Sequence, residues 1–387
     1  MTAETQRIRG YDLARAVAIL AMVVVNFSSM MGVVSFNSIW IQRTVDFLYG
    51  RAAALFVMLA GISVSLMAAR NPGPEATRRL QVRLLKRGAL LLAAGLALHH
   101  WWTADILRYY AVFLAMAAGL IYQPDRRSIG VLAAAVLISL PVSATLTTSY
   151  EMGDLPSGVE NLGLLPALIW DYLAGSYYSL LPWACFFLAG MLLGRIKAAD
   201  RTFHRRCAWG GLLICLAVEM FSKTMLGWFD KLEWEREGNW WLTFFRSDAF
   251  PVTPLFIFSS GASAVAMIGL CCLLSESGRK EDSIQKGLEP LVIFGQFSLT
   301  MYIAHLLWGG AFMALLPDHA AVIHPGQMFA AALSFYAASI AFAWLWRRFF
   351  RRGPLETVFH WLISYNKIVK DAQFSRPARG SRIRRLG

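Results

Sequence analysis

Apolar runs of about twenty residues recur along the chain, and that length constrains the fold more than any motif. A helix rises about 1.5 Å per residue, so about twenty residues cross the roughly 30 Å hydrocarbon core of a bilayer. Ten such runs are read, at 13–34, 45–69, 84–102, 104–122, 129–147, 176–195, 207–227, 251–275, 290–316 and 326–349. In hydrocarbon the backbone must satisfy its own hydrogen bonds, so each run is expected to be a helix. Composition agrees, with 57% of the 387 residues hydrophobic and only 16% charged. The expected class is all-α: a polytopic membrane helical bundle of about ten transmembrane helices. An additional interfacial helix is expected at 164–171, and no loop is long enough for a soluble domain.

Charge sets the orientation. Basic residues gather at the N-terminus, in the loop from Arg70 to Arg87, at Arg126 and Arg127, from Arg195 to Arg206, and at Arg279 and Lys280. From Arg347 onward there are eleven Lys/Arg against two acids. In a ten-span count all of these fall on one side. The stretch 150–178 has no Lys or Arg and carries Glu151, Asp154, Glu160 and Asp171. The positive-inside bias then makes both termini cytoplasmic. The net charge of +13 is segregated rather than spread over a soluble face, which excludes a nucleic-acid partner and suits an anionic inner leaflet. The N-terminus reads as a retained first span, because its apolar run is too long for a cleaved signal. The five cysteines are odd in number and lack metal-ligand spacing, so neither a structural disulfide nor a metal site is expected.

Three polar groups interrupt the apolar pattern. The first lies at the cytoplasmic end of the bundle: Asp12 and Arg15 at the start of span 1, with Arg83, Lys86 and Arg87 at the start of span 3. Guanidiniums there suit phosphates, which they meet with paired hydrogen bonds. Basic residues on this side also serve orientation alone. Asp12, set among arginines, is not needed for that purpose. The second group is outer: His99, His100 and Asp105 at a tight turn, with Arg108, and with Asp46 and Arg51 from span 2. Imidazole beside carboxylate is the usual pairing for a general base. An interfacial hairpin would carry the same residues without chemistry. The third group is His305, deep in span 9 with Ser298, Thr300 and Tyr302 nearby. Asn26, roughly 20 Å along the helix from Asp12, is the polar mark in the outer half of span 1. Gly61 reads as a close-packing position. The tryptophans of 227–241 read as an aromatic belt or as a stacking surface.

These residues resemble a family. The pattern of Arg7, Asp12, Arg15 and then Asn26 is similar to the opening of bacterial YeiB-like membrane proteins. It is also similar to the heparan-α-glucosaminide N-acetyltransferases, in a wider transmembrane acyltransferase superfamily. The stretch from Arg51 to Leu66, the segment ADILRYYAVFLAMA, GQFSLTMYIAH and RRGPLETVFHWL resemble further pieces of the same families. The resemblance implies one transmembrane acyltransferase-like domain over 1–365, with 366–387 a disordered basic cytoplasmic tail. It implies acyl transfer from cytoplasmic acyl-CoA to an acceptor at the outer face. Asn26 matches the family's first-span asparagine. The family's histidine one loop later falls on Asn37, and Ala16 stands where the family has glycine. Asparagine is no general base near neutral pH. The base is therefore His99, His100 or His305, or this branch has another activity.

The reading is an acyltransferase using acetyl-CoA or another acyl-CoA as donor and no metal. Asp12, Arg15, Arg83, Arg87 and Arg51 are the candidate donor-binding residues. Asn26, His100, His99, His305 and Asp105 are the candidate catalytic ones. The acceptor would be a sugar, glycolipid or small molecule, the partner the lipid bilayer, and the location a bacterial inner membrane. A homodimer is left open. Alternatives are a transporter or exporter of a small anion, with histidines relaying protons, and a structural membrane subunit.

Overall fold

The computed structural model describes residues 8–33, 35–99, 101–102, 104–149, 178–196, 200–231, 240–250, 252–276, 283–315 and 323–374. It is a bundle of helices: α1 (Arg9–Met30), α2 (Ile39–Leu48), α3 (Arg51–Ala69), α4 (Pro74–His99), α5 (Leu107–Leu120), α6 (Asp125–Ser149), α7 (Leu180–Leu193), α8 (Arg201–Lys231), α9 (Pro254–Ser275), α10 (Ser283–Gln296), α11 (Ser298–Ala314), α12 (Pro325–Arg347) and α13 (Pro354–Phe374). A short 3-10 helix lies at Trp240–Phe245. Among the described residues there is no strand beyond an isolated bridge between Ala249 and Val252. The chain is a membrane protein of all-α class.

The sequence of α1 explains its place. Its buried residues include Tyr11, Ala14, Ile19, Val23 and Phe27, which face more than one direction around the helix. A helix apolar on all sides needs neighbours on all sides. α1 packs against α2, α3, α9, α10, α11 and α12. Close approach is set by small residues. A Cβ on Gly61 of α3 would meet the backbone of Phe187 and Met191 in α7, and one on Gly190 would meet Met58 in return. Gly61 is thus a close-packing position, as expected of small residues between membrane helices.

The expected spans all fall on helices, but fewer than ten are long and apolar enough to cross a membrane. Five qualify, or six if a bent pair counts as one. The reasons are local. Span 2 is among the five, although Gly50, whose φ of 72° is a left-handed conformation, divides it into α2 and α3. α4 begins at Pro74 and carries Arg83, Lys86 and Arg87 into its apolar stretch. α5 and α7 have 14 residues each, which is roughly 21 Å of rise. Span 9 is not one straight helix: α10 and α11 meet at 81° around Phe297. The expected interfacial helix at 164–171 lies outside the described residues. α13 runs to Phe374, so helix continues past residue 365 into what reads as tail. All five cysteines are free.

Candidate active site

At the end of the bundle where α1 begins, Asp12 is fully buried in the first turn of α1. A carboxylate is favoured there by the helix dipole, but burial demands a partner. Arg15, three residues on, supplies it as an ion pair with Asp12 Oδ1. Arg15 also donates to Ser63 Oγ at 2.6 Å, which ties α1 to α3. Arg87, exposed on α4, acts with Arg15 on the hydroxyl of Tyr110. That hydroxyl is buried and has no hydrogen-bond partner among the described residues. Arg83 is exposed one turn earlier on α4. Burial, and then the charges of Arg352 and Arg83, hold the His360 imidazole of α13 below its usual value. Arg15, Arg83 and Arg87 therefore mark one cationic end.

Arg51 does not belong to that group. Ser63 and Arg51 are on the same helix, and about 18 Å of α3 separates Arg51 from the Arg15 contact. Its guanidinium forms a buried ion pair with Glu219 of α8 and donates to Ser259 at 3.0 Å and to the Phe47 carbonyl at 3.0 Å. Glu219 also accepts from Ser247 and Ser259. Glu219 carries no sequence signal of this role, because nothing in α8 marks its partner.

At the far end of α1, residues 279 positions apart in sequence meet. Asn26 Nδ2 lies 2.9 Å from His305 Nε2. His305 is fully buried, stacked on Phe27 and edged by Phe335 and Tyr302. Where the amide donates, Nε2 is the acceptor and the ring proton sits on Nδ1. One turn back on α11, the Tyr302 hydroxyl donates to Asp105 Oδ1 at 3.0 Å. Asp105 is fully buried in the α4–α5 turn. It packs against Gly95, where a Cβ would stand 2.6 Å from Asp105 Oδ2. His99 Nε2 lies 3.5 Å from Arg108 Nη1, so it belongs to the Arg108 side of the turn. His100 lies outside the described residues. Asn37 is exposed just before α2. Tyr302 appears in the sequence only as a neighbour of His305, and its link to Asp105 had no local signal.

A shallow, half-open recess adjoins Asn26. Ser29, Tyr49, Trp102, Tyr178 and Phe250 are among its walls. Ser29 Oγ and the Tyr49 hydroxyl are 2.8 Å apart. Aromatic faces with a few hydroxyls and one amide suit a ringed or partly apolar ligand. Between this recess and the cationic end stand Phe56, Tyr110 and Tyr302, with Phe56 6.2 Å from each of the other two rings. No group of three or more potential metal ligands occurs among the described residues.

Two family models match. Residues 193–366 match a family described as "Protein of unknown function (DUF418)", the YeiB-like group. Residues 7–226, more than half the chain and including both Asn26 and the cationic end, match "Heparan-alpha-glucosaminide N-acetyltransferase, catalytic". No curated protein matches the chain. The chain thus belongs to a YeiB-like family related to the heparan-alpha-glucosaminide N-acetyltransferases.

Proposed function

We propose that the protein moves an acyl group, acetyl in the first instance, from cytoplasmic acyl-CoA to a sugar, glycolipid or small molecule at the outer face of a bacterial inner membrane. The observation that carries this reading is the Asn26–His305 pair beside an aromatic recess. It sits in a chain whose residues 7–226 match the catalytic model of the heparan-alpha-glucosaminide N-acetyltransferases. Ten membrane crossings with both ends of the chain cytoplasmic suit this scheme, the shorter helices crossing where neighbours shield them.

In this reading Arg15, Arg83 and Arg87 hold the donor phosphates, and Asp12 fixes the direction of Arg15. The residues present fit such a group: Arg15 and Arg87 both act on the buried Tyr110 hydroxyl, and Arg83 lies one turn from Arg87 on α4. Arg51, engaged with Glu219, takes no part. The thioester carbonyl lies at Asn26. As the acceptor oxygen or nitrogen bonds to that carbonyl carbon, the Asn26 amide turns to donate to the oxygen that gains charge. That turn releases His305 Nε2, which takes the proton lost by the acceptor. Collapse of the intermediate breaks the carbon–sulfur bond, and the thiolate leaves toward the cationic end. Tyr302, held by Asp105, orients His305 from the side. His99 is coupled to Arg108 and plays a supporting part in this scheme.

The test is release of free coenzyme A thiol by purified protein given acetyl-CoA and a panel of neutral and amino sugars. Acceptor-dependent release is expected, falling about 10²- to 10³-fold in Asn26→Ala. Full activity in both Asn26→Ala and His305→Ala would sink the assignment. Solute flux into proteoliposomes without any acyl donor would favour the transporter alternative.

A further inference from the structure

The two helix starts at the bend cap each other. α11 begins behind Phe297, whose side chain offers no cap. The first N–H groups of a helix have no partner within it. Here a carboxylate from another helix takes them: Glu356 Oε1 accepts from the backbone N–H of Leu299 at 2.8 Å and of Thr300 at 3.2 Å. Glu356 Oε2 accepts from the Thr300 hydroxyl at 2.5 Å. Thr300 Oγ1 in turn accepts from the backbone N–H of Leu355, in the first turn of α13, at 3.1 Å. Two positive helix ends therefore share one acid. Gly353 leaves the space, since a Cβ there would stand 2.9 Å from Thr300 Oγ1 and closer still to Glu356 Oε2. α13 also packs against α4, and the charge of Arg87 on α4 acts on Glu356.

We propose that Glu356 is a positioning residue that clamps the start of α11, the helix carrying Tyr302 and His305, and that an anion held at Arg87 loosens the clamp. The sign follows from charge. A phosphate at Arg87 cancels the pull of that cation on Glu356 and adds its own repulsion. Both effects raise the free energy of the carboxylate where it sits. Anion binding and clamping are then negatively coupled, and coupling between two sites acts equally in both directions. Neutralising Glu356 therefore tightens anion binding, whereas simple structural damage would weaken it. Naming the anion as the phosphates of an acyl-CoA rests on the proposed function; the coupling itself does not.

The test uses the full chain in detergent, with inorganic pyrophosphate and coenzyme A as separate probes and calorimetry as the readout. Glu356→Gln is expected to bind pyrophosphate about five-fold tighter than wild type. The gain should vanish in the Arg87→Gln background and be absent in Glu356→Asp, which keeps the charge. No gain in Glu356→Gln, or an equal gain without Arg87, overturns the proposal. If Glu356→Gln does not fold, hydrogen exchange on wild type decides. Saturating pyrophosphate should then speed exchange at the Leu299 and Thr300 amides, and unchanged or slower exchange overturns the clamp. Coupling seen with pyrophosphate but no binding of coenzyme A keeps the clamp and removes the acyl-CoA reading. Binding of neither probe overturns both.

Discussion

Asn26 and His305 illustrate what a single side chain can and cannot reveal. Each is a polar group in an apolar run, and burial of such a group without a partner costs about 1–3 kcal/mol in proteins. The run therefore announces that a partner exists without saying which. Asp105 is the sharper case, because it is fully buried and accepts from Tyr302 at 3.0 Å. Tyr302→Phe removes that donor and should destabilise the protein by about 1–3 kcal/mol in thermal unfolding. Gly95→Ala should reproduce much of that loss, since the added Cβ would stand 2.6 Å from both Asp105 Oδ2 and the Arg108 nitrogen. A Gly95→Ala protein as stable as wild type would show that the turn relaxes freely.

At the scale of elements, the break at Phe297 matters most. The apolar run 290–316 reads as one span, yet α10 and α11 meet at 81°. Composition carries no cue to this bend, because its support comes from α13, more than fifty residues downstream. The segment from Gly353 to Glu356 lies within the residues that match the family model, and its physical use is the cap on α11. Gly353→Ala should lower stability by about 1–3 kcal/mol through overpacking at that contact. It should also speed hydrogen exchange at Leu299. Unaltered exchange at Leu299 would mean that the clamp tolerates the extra carbon. Gly50 is the second unadvertised break, splitting α2 from α3 with a φ of 72°.

For the whole molecule, α8 is a peripheral helix. Only 17% of its apolar stretch is buried, and its main neighbour is α9. The Arg51–Glu219 ion pair fastens it to α3 inside the bundle. Removing one partner of a buried pair strands the other charge, at a cost of about 3–5 kcal/mol. Arg51→Leu should therefore destabilise strongly, and Arg51→Leu combined with Glu219→Leu should be milder than either single change. Additive losses in that double-mutant cycle would deny the pairing. Reporter fusions after residues 71, 124 and 196 test the topology. All three should report the cytoplasmic side if the ten-crossing reading holds.

The sequence by itself determined the class of molecule, because apolar runs of membrane-spanning length leave helices as the workable structure and need no partner to be recognised. It also marked the polar residues that interrupt the apolar pattern, Asp12, Asn26, Asp105 and His305 among them. Tertiary structure alone decided how they pair. Asn26 meets His305 across 279 positions, Tyr302 meets Asp105 across 197, and Arg51 turns to Glu219 across 168 rather than to the other arginines. Periodicity describes a helix and its own neighbours three and four residues away. Contacts between distant helices depend on where glycines let backbones approach and where a helix bends, and those are properties of the packed bundle.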